Sequence, residues 1–322
     1  MTPRSIITIG NFDGVHCGHR QILSRASHWA KNNDAQIIVI TFDPHPMSVL
    51  KPELAPQRLC NANRREAILK DLGADEVHFY KPEKQLLQLE PEDFVVQMVE
   101  RYNPAVWIEG DDFHFGKNRR GNIQLLQELG QQHQFEVDIV PTCDVTLTNC
   151  HIVRASSSII RWLIEQGRVA DARIVMQRPF TFESVVVQGE KVGRTIGFPT
   201  INLDLELLKD HQIPKLGVYS GRATFQNSGS YAAAISIGIK PTFGIKQLCI
   251  EAHLLDCNKD LYSQQVQLEF HQWIRDQYPF PSIQHLKAQL KRDVQQIRNL
   301  SKAQHDQPMI AEILKQPSGM NA

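Results

Sequence analysis

The chain has 322 residues, of which 42% are hydrophobic and 22% are charged. This length suffices for two domains with cores of their own, and the composition is that of a globular protein. The 35 Lys and Arg residues balance the 35 Asp and Glu residues, so we expect neither a nucleic-acid partner nor a membrane-surface partner. The six cysteines form no C-x-x-C pair and the first apolar run spans only residues 6–9, which predicts reduced thiols in the cytoplasm and no signal peptide.

The first stretch that suggests chemistry begins at that apolar run, which predicts a buried strand. Residues 10–14 then break the periodicity with two glycines, and apolar residues recur at helical spacing from Ile22. His16 and His19 therefore lie in or just before the first turn of a helix that follows a strand. Such a position suits an anion, because a helix start offers unpaired N–H groups and a partial positive charge.

Two other interpretations of these histidines stay open at this point. A histidine at a helix start can hydrogen-bond locally and have no further role. His16, Cys17 and His19 could also begin a zinc site, although no spaced pair of Cys or His completes a tetrahedral set. The whole stretch, from the strand through GNFDGVHCGH to the helix, is more specific than either histidine alone.

Strands and helices alternate up to about residue 177. Further buried strands are predicted at residues 37–42, 76–80 and 105–109, with helix-length connections between them. This alternation is typical of a parallel sheet of the doubly wound type. The second strand ends in Asp43-Pro44-His45-Pro46, so we expect His45 at the same sheet edge as His16 and His19.

The loop at residues 110–121 contains a Gly116-Lys117 pair, but its spacing and Asn118 exclude a phosphate loop of the Walker type. Phe113 and Phe115 in this loop could be inward core anchors, or they could form a face for a flat ring system. Three serines at residues 156–158 precede a helical run that contains Arg161. They could cap that helix, or with Arg161 they could hold a phosphate.

From Phe180 onward the pattern changes to short strands and turns, and helical spacing returns only at residues 282–300. Several short strands at regular spacing predict an antiparallel barrel or sandwich with a C-terminal helix. We therefore predict a domain boundary near Arg178 and a frayed tail after Ser301.

The polar stretch of this second half is GEKVGRTIGFPTINL, at residues 189–203. Gly189, Gly193 and Gly197 recur every fourth residue, which allows close approach of the backbone to phosphate but also fits an ordinary hairpin. Thr200 and Asn202 point to the same side of an extended segment. Two hard oxygens placed together in this way suit Mg²⁺, which completes its octahedron with phosphates and water.

The N-terminal stretch resembles the HxGH signature of the nucleotidyltransferase superfamily, and GxxxGRxxGFPTxN resembles the signature of riboflavin kinases. Together they make the chain similar to the bacterial bifunctional riboflavin kinase/FAD synthetase family over about residues 5 to 300. Matches to TFDPHP at residues 41–46, GVY at 217–219, EAH at 251–253 and Arg275 support the resemblance.

The resemblance implies a Rossmann-like nucleotidyltransferase domain at residues 1–178, a riboflavin kinase barrel with a C-terminal helix at 179–303, and a tail at 304–322. The barrel would phosphorylate riboflavin with ATP to give FMN, with Mg²⁺ on Thr200 and Asn202. The N-terminal domain would then transfer AMP from a second ATP to FMN, giving FAD and pyrophosphate. Flavoproteins that receive the product are possible partners, but the sequence does not identify them.

The resemblance also assigns roles to individual residues. His16 and His19 would stabilise the charge that develops on the ATP phosphates, and Glu251 would be the general base of the kinase. From the residues alone, Glu269 is an equal candidate for that base. The other residues with an implied role in binding ATP or its phosphates are Gly10, Asn11, Phe12, Asp13, Gly18, Ser156, Ser157, Ser158, Arg161, Gly189, Lys191, Gly193, Arg194 and Gly197. Those with an implied role in binding flavin are Asp43, His45, Asp112, Phe113, Phe115 and Arg275.

Three departures and two rival functions stand beside this interpretation. Two of the departures are single residues, Ser158 in place of a usual Thr and Ser236 in place of a usual Asn. In addition, residues 81–89 match the family poorly. The poor match motivates an alternative in which only the riboflavin kinase is active and the N-terminal domain is structural. A second alternative is a flavin-binding regulator that has lost turnover. The presence together of His16, His19, Thr200, Asn202 and Glu251 disfavours it.

Overall fold

The computed structural model describes residues 4–190, 192–242 and 245–306. They fall into two compact units. The first contains the residues up to Glu165 together with Asp171–Arg178 and Asp210–Ile213. The second contains Gln166–Ala170, Pro179–Lys209 and the residues from Pro214 onward. The boundary between the units is therefore crossed more than once along the chain. Segment Asp210–Ile213 belongs to the first unit because it forms two backbone hydrogen bonds with Arg58. Arg58 N donates to Asp210 O at 2.8 Å, and Gln212 N donates to Arg58 O at 2.8 Å.

The first unit alternates strands and helices, as the periodicity predicts. Its strands are β1 (Ser5–Ile9), β2 (Gln36–Phe42), β3 (Glu76–Tyr80), β4 (Pro104–Gly110), β5 (Glu136–Val140), β6 (Asp144–Thr146) and β7 (Ile152–Arg154). Its helices are α1 (Cys17–Asn33), α2 (Met47–Leu50), α3 (Ala62–Asp71), α4 (Lys84–Leu87), α5 (Pro91–Tyr102), α6 (Ile123–His133), α7 (Ser157–Glu165) and α8 (Val169–Met176).

Five parallel strands form one sheet in the order β3-β2-β1-β4-β5. Helices α1 and α3 bury Leu23, Ile68 and Leu69 on one face of the sheet. Helices α5 and α6 bury Phe94 and Leu126 on the other face. The strand order reverses direction between β1 and β4, and in open α/β sheets ligands bind in the crevice at such a point, outside the carboxyl ends of the strands.

The second unit is a closed barrel with the strand order β10-β11-β12-β9-β8-β13. Its strands are β8 (Phe180–Val187), β9 (Ile201–Leu203), β10 (Gly217–Phe225), β11 (Gly229–Thr242), β12 (Ile245–Leu254) and β13 (Gln265–Arg275). Helix α9 (Val192–Thr195) is one turn long, and α10 (Ile283–Asp306) is the long C-terminal helix. The pairings are antiparallel. The aromatic rings of Phe180, Phe182, Phe270 and Tyr219 meet largely edge to face in the interior.

The predicted fold class, a doubly wound domain followed by an antiparallel barrel with a C-terminal helix, is confirmed. The predicted helix at residues 282–300 is observed from Ile283 and extends to Asp306. Most of the tail predicted at residues 304–322 lies outside the described residues.

Candidate active sites

The loop between β1 and α1 places two histidines side by side at the crevice. His16 is the N-cap residue of α1 and His19 lies in its first turn. Their rings stack with centroids 3.7 Å apart and an interplanar angle of 22°. A Cβ atom on Gly18 would lie 3.2 Å from Cε1 and Nδ1 of His16, so the absence of a side chain at Gly18 leaves room for this stack.

Burial keeps both imidazoles neutral. It lowers the pKa of His16 to about 4. Burial, with His16 nearby, also lowers the pKa of His19 well below its ordinary value. The Nδ1 atoms of both rings are buried and have no hydrogen-bond partner in the described part of the chain. A neutral ring still carries one N–H donor, so the pair can donate hydrogen bonds to an anion at the helix start.

A cavity of about 200 Å³ opens at this point of the first unit. The predicted site residues that line it are Gly10, Phe12, His16, Gly18, His19, Asp112, Phe113 and Ser156. The structure thus brings together residues that lie far apart in the sequence. Ser156 also accepts a hydrogen bond from the backbone N–H of Ile159 at 3.2 Å, so it caps α7 while it lines the cavity.

Other predicted phosphate-binding residues of this unit mainly hold the loop in place. The buried carboxylate of Asp13 accepts hydrogen bonds from the backbone N–H of Leu59 at 3.1 and 3.2 Å and from the Arg161 guanidinium. The hydroxyl of Ser157 donates to the carbonyl of Asp13 at 2.6 Å. Asn11 accepts from Thr41 and Arg65 through its carbonyl, and Ser158 is exposed on α7. Asp13 and Arg161 therefore join the loop after β1 to α7.

Two residues with an implied flavin role have other partners in this structure. Asp43 forms ion pairs with Arg58 at 3.2 Å and Arg65 at 3.3 Å. His45 accepts a hydrogen bond from the backbone N–H of Met47 at 3.1 Å, and burial lowers its pKa. Neither is among the described residues that line the 200 Å³ cavity.

Phe115 requires a correction. It is 5% exposed and packs in the core, with ring centroids 5.9 Å from Phe94 and 5.5 Å from Phe113. The interpretation as an inward anchor, left open by the sequence, thus describes Phe115, because a large apolar ring gains more from the core than from a polar loop. Phe113 lines the cavity with Phe115 stacked behind it.

Glu109 is the residue of this cavity that the sequence analysis missed as a site residue. It lies at the end of β4, is 2% exposed, and lines the cavity. Burial raises its pKa well above the usual range of a carboxyl group. The available signal was an acidic residue at the end of an otherwise apolar predicted strand.

The second unit places Asn202 and Glu251 side by side. The two residues are register partners in the antiparallel pair of β9 and β12, so their side chains share one face of the barrel. Ser236 on β11 is the next register partner of Glu251 and accepts a hydrogen bond from Gln277 at 2.7 Å. Glu269, the other candidate base, pairs instead with Thr181 and Arg222 and contacts His271 at 3.1 Å.

A cavity of about 460 Å³ adjoins this row of side chains. Its lining includes Gly193, Thr200, Ser236, Glu251, Arg275 and Asp293. A separate cavity of about 230 Å³ is lined by Arg194, Thr200 and Tyr262, among others. Thr200 therefore lies where the two cavities adjoin. Lys191 lies outside the described residues, and Gly197 lines neither the 460 Å³ cavity nor the 230 Å³ cavity.

The glycine-rich segment lies directly against the two hard oxygen donors. A Cβ atom on Gly189 would lie 2.3 Å from Nδ2 and 2.7 Å from Oδ1 of Asn202, and one on Gly193 would lie 2.3 Å from the Phe198 carbonyl oxygen and 3.5 Å from Thr200 Oγ1. The absence of a side chain at Gly189 and Gly193 thus lets the backbone pack against the Asn202 amide and the Phe198 carbonyl. The donor set of Thr200 and Asn202 fits Mg²⁺, which takes few protein oxygens. Within the described ranges, no three His, Cys, Asp or Glu side chains gather into a metal cluster.

Arg275 is held by a residue that the sequence analysis also missed. Its guanidinium donates hydrogen bonds to the 2% exposed carboxylate of Asp293 on α10, at distances from 2.8 to 3.2 Å. Tyr278 and Phe280 lie against the guanidinium, with ring centroids 5.2 and 5.7 Å from Cζ. An aspartate on the apolar face of a predicted helix was the signal available for Asp293.

Comparison with known proteins gives two family matches in the order of the two units. The FAD synthetase model matches residues 1–153 and the riboflavin kinase model matches residues 176–301. A bifunctional riboflavin kinase/FMN adenylyltransferase of Escherichia coli K12 is 32% identical over 89% of this chain and 90% of its own length. The protein of that name from Bacillus subtilis 168 is 30% identical over 91% of each chain.

A solved structure shares the whole architecture. It is described as a macrolide-efflux protein from Streptococcus pneumoniae, and it matches with a TM-score of 0.84 and 30% identity over 93% of this chain and 95% of that one. The name states an activity of the pneumococcal protein only. Across the part of the present chain that the structure describes, no helix combines the length and the apolar character that crossing a membrane requires.

Proposed function

Because this chain belongs to the bifunctional riboflavin kinase/FMN adenylyltransferase family, we propose that it catalyses two successive transfers from ATP to a flavin. The first transfers the γ-phosphoryl group of ATP to the ribityl hydroxyl of riboflavin and gives FMN and ADP. The second transfers AMP from another ATP to the phosphate of FMN and gives FAD and pyrophosphate. We assign the second reaction to residues 1–178 and the first to residues 179–303, with ATP, riboflavin and FMN as the partners and the cytoplasm as the location.

The kinase assignment rests on the row formed by Asn202 and Glu251 beside the 460 Å³ cavity. The Glu251 carboxylate would accept the proton of the attacking hydroxyl. Thr200 and Asn202 would hold Mg²⁺, which neutralises charge on the transferred phosphoryl group when it is bound. The glycines at 189 and 193, with Arg194, would contact the phosphates, and Arg275 would contact the flavin side of the cavity.

The adenylyltransferase assignment rests on the stacked His16 and His19 at the start of α1. Their neutral rings would donate hydrogen bonds to the phosphates of ATP as charge develops at the α-phosphorus. The attacking phosphate of FMN is largely ionised near neutral pH, so this transfer requires no general base. Asp112 and Phe113 line the same cavity and are the residues we expect to contact the flavin.

The observation that carries the proposal is the presence of both constellations in one chain, each beside a cavity of its own unit. The test is a pair of assays with Mg²⁺ and ATP, one started with riboflavin and one with FMN. We expect FMN in the first, and FAD with stoichiometric pyrophosphate in the second. FMN formation without FAD formation would favour the alternative in which the protein is a riboflavin kinase only.

Replacement of Glu251 separates the two candidate bases. We expect Glu251→Gln to lower the rate of FMN formation by about 10²–10⁴-fold, because the amide cannot accept the proton. The matched control is Glu269→Gln on β13, which should leave the rate of FMN formation unchanged. FAD formation from supplied FMN should survive in both variants. Comparable loss of FMN formation in both, or loss only in Glu269→Gln, would overturn the assignment of Glu251.

A further inference from the structure

The crevice between β1 and β4 opens because the two strands separate before they end. Their pairing extends only to Ile7 opposite Trp107. Strand β1 continues to Ile9 alongside β2, and β4 continues to Gly110 alongside β5. The backbone N–H of Ile9 therefore faces the opening without a partner on the backbone of β4. Glu109 takes that place with its side chain.

One oxygen of Glu109 is fully used by the protein. Oε1 accepts a hydrogen bond from the backbone N–H of Ile9 at 2.8 Å and another from Nε1 of Trp107 at 2.7 Å. Two donors saturate the two lone pairs of one carboxyl oxygen. The other oxygen, Oε2, makes no hydrogen bond to the described residues, and none of their cationic side chains forms an ion pair with Glu109.

This arrangement suits a neutral carboxylic acid better than a carboxylate. A buried carboxylate without a cation is costly, and burial raises the pKa of Glu109 well above the usual range. In the neutral acid, Oε1 is the carbonyl oxygen with its two donors, and Oε2 carries a proton that can be donated into the cavity. Glu109 lines the same cavity as His16 and His19, so a bound ligand can supply an acceptor.

We propose that Glu109 donates a hydrogen bond from Oε2–H to the nucleoside part of the ATP that binds between β1 and β4. This inference rests on the proposed adenylyltransferase function. The helix start with His16 and His19 is suited to the phosphates, whereas a purine ring and a ribose both offer neutral acceptors. A neutral acid can lie close to a triphosphate without the repulsion that a carboxylate would add.

The test compares Glu109→Gln with Glu109→Met. Gln keeps a carbonyl oxygen for Ile9 and Trp107 and offers an amide N–H where the acid has its O–H, whereas Met fills the volume without a donor. We expect the KM for ATP in FAD formation to stay within about threefold of wild type in Glu109→Gln and to rise about tenfold or more in Glu109→Met. Equal damage in both variants would overturn the proposal.

ATP analogues separate this role from a merely structural one. The analogues are deaza forms that each lack one ring nitrogen and the 2′- and 3′-deoxy forms. In wild type, kcat/KM for the analogue that lacks the acceptor should be about tenfold lower than kcat/KM for ATP. In Glu109→Met, the analogue and ATP should have equal values of kcat/KM. The proposal is wrong if no analogue has a lower kcat/KM than ATP in wild type, or if Glu109→Met shows the same decreases in kcat/KM as wild type.

Calorimetric titration with ATP distinguishes failure of this inference from failure of the proposed function. Substitution of Glu109 should weaken one of two ATP sites and leave the other unchanged. If wild type formed no FAD, the proposed function would fail, but the binding of ATP and its analogues to these variants would still decide the role of Glu109. Binding at both sites unaffected by Glu109→Met would overturn the inference.

Discussion

At the residue scale, burial decides the chemistry of the histidine pair. A ring with a pKa near 4 is neutral at physiological pH, so the His16 side chain of the free protein carries no charge. The phosphates of a bound nucleotide would favour the protonated ring and raise that pKa. The same burial makes the stability of the fold depend on pH, because this histidine binds a proton more readily in the unfolded chain than in the folded chain.

The sign of that contribution is testable. Between the ordinary value of 6.5 and about 4, the unfolded chain binds a proton at His16 that the folded chain does not. The free energy of unfolding should therefore decrease as the pH falls from 6.5 toward 4. We expect His16→Asn to show a smaller decrease than wild type in urea unfolding at pH 7 and pH 4.5.

The control for this experiment is His28→Asn, at an exposed position of the same helix. It should follow the wild-type pH dependence. The decrease should persist in part in His16→Asn, because the pKa of His19 is also lowered by burial. An unchanged pH dependence in His16→Asn would contradict the burial of this ring.

At the scale of the element, the start of α1 depends on the small size of Gly18. In Gly18→Ala the new methyl group would press on the His16 ring, from which the Cβ position is only 3.2 Å away. We expect the rate of FAD formation to fall about tenfold or more, since small displacements of catalytic groups are costly. Helix propensity itself favours alanine by about 0.5–1 kcal/mol, so a loss of activity would not reflect a weaker helix.

Ser24→Ala is the matched variant on this helix, because Ser24 is exposed and its replacement also favours helix formation. FAD formation should be unchanged in it, and FMN formation should be unchanged in both variants. Equal FAD formation by Gly18→Ala and wild type would show that the stacked arrangement of the rings is not needed for the transfer.

Helix α10 offers a second comparison, because two Arg–Asp pairs join it to the barrel. The buried pair is Arg275 with Asp293, and the exposed pair is Arg298 with Asp256. Asp293→Asn leaves the Arg275 guanidinium partly unpaired in a mostly buried position. We expect it to raise the KM for riboflavin and to lower the free energy of unfolding by roughly 2 kcal/mol or more.

Asp256→Asn removes the exposed pair, in which solvent already screens the charges, and it should change neither quantity measurably. Thermal unfolding and riboflavin kinetics of the two variants provide the measurement. If the two variants behaved alike, Asp293 would have no special role in holding Arg275.

At the scale of the whole molecule, each cavity is lined by residues of a single unit. Under the proposed assignment, FMN formed in the second unit has to leave one site and enter the other. We expect Glu251→Gln and His19→Ala each to fail to convert riboflavin to FAD when assayed alone. An equimolar mixture of the two should make FAD, because FMN from one chain can bind to the other.

Chromatographic detection of FAD after addition of riboflavin, ATP and Mg²⁺ checks this prediction. Supplied FMN should restore FAD formation in Glu251→Gln alone and should not do so in His19→Ala. A mixture that forms FMN but no FAD, while the wild type forms both, would mean that FMN passes only within one chain.

The sequence by itself determined the succession of elements and the two motif loops, because both depend on local periodicity and local spacing. The strand before GNFDGVHCGH, the helix after it and the change to short strands at Phe180 are all local features. The same local reasoning predicts that Thr200 and Asn202 share one side of an extended segment, since alternate residues of a strand point to the same face.

Only the tertiary structure decided which polar groups belong to the cavities and which hold the fold. Asp13 lies in a motif but bonds Leu59 and Arg161, whereas Glu109 ends an apolar strand yet lines the cavity. The ring of Phe115 is buried in the core, whereas Phe113 lines the cavity. The physical reason is that burial and hydrogen-bond partners come from residues far away in the chain, as in the bond between Ile9 and Glu109, 100 residues apart.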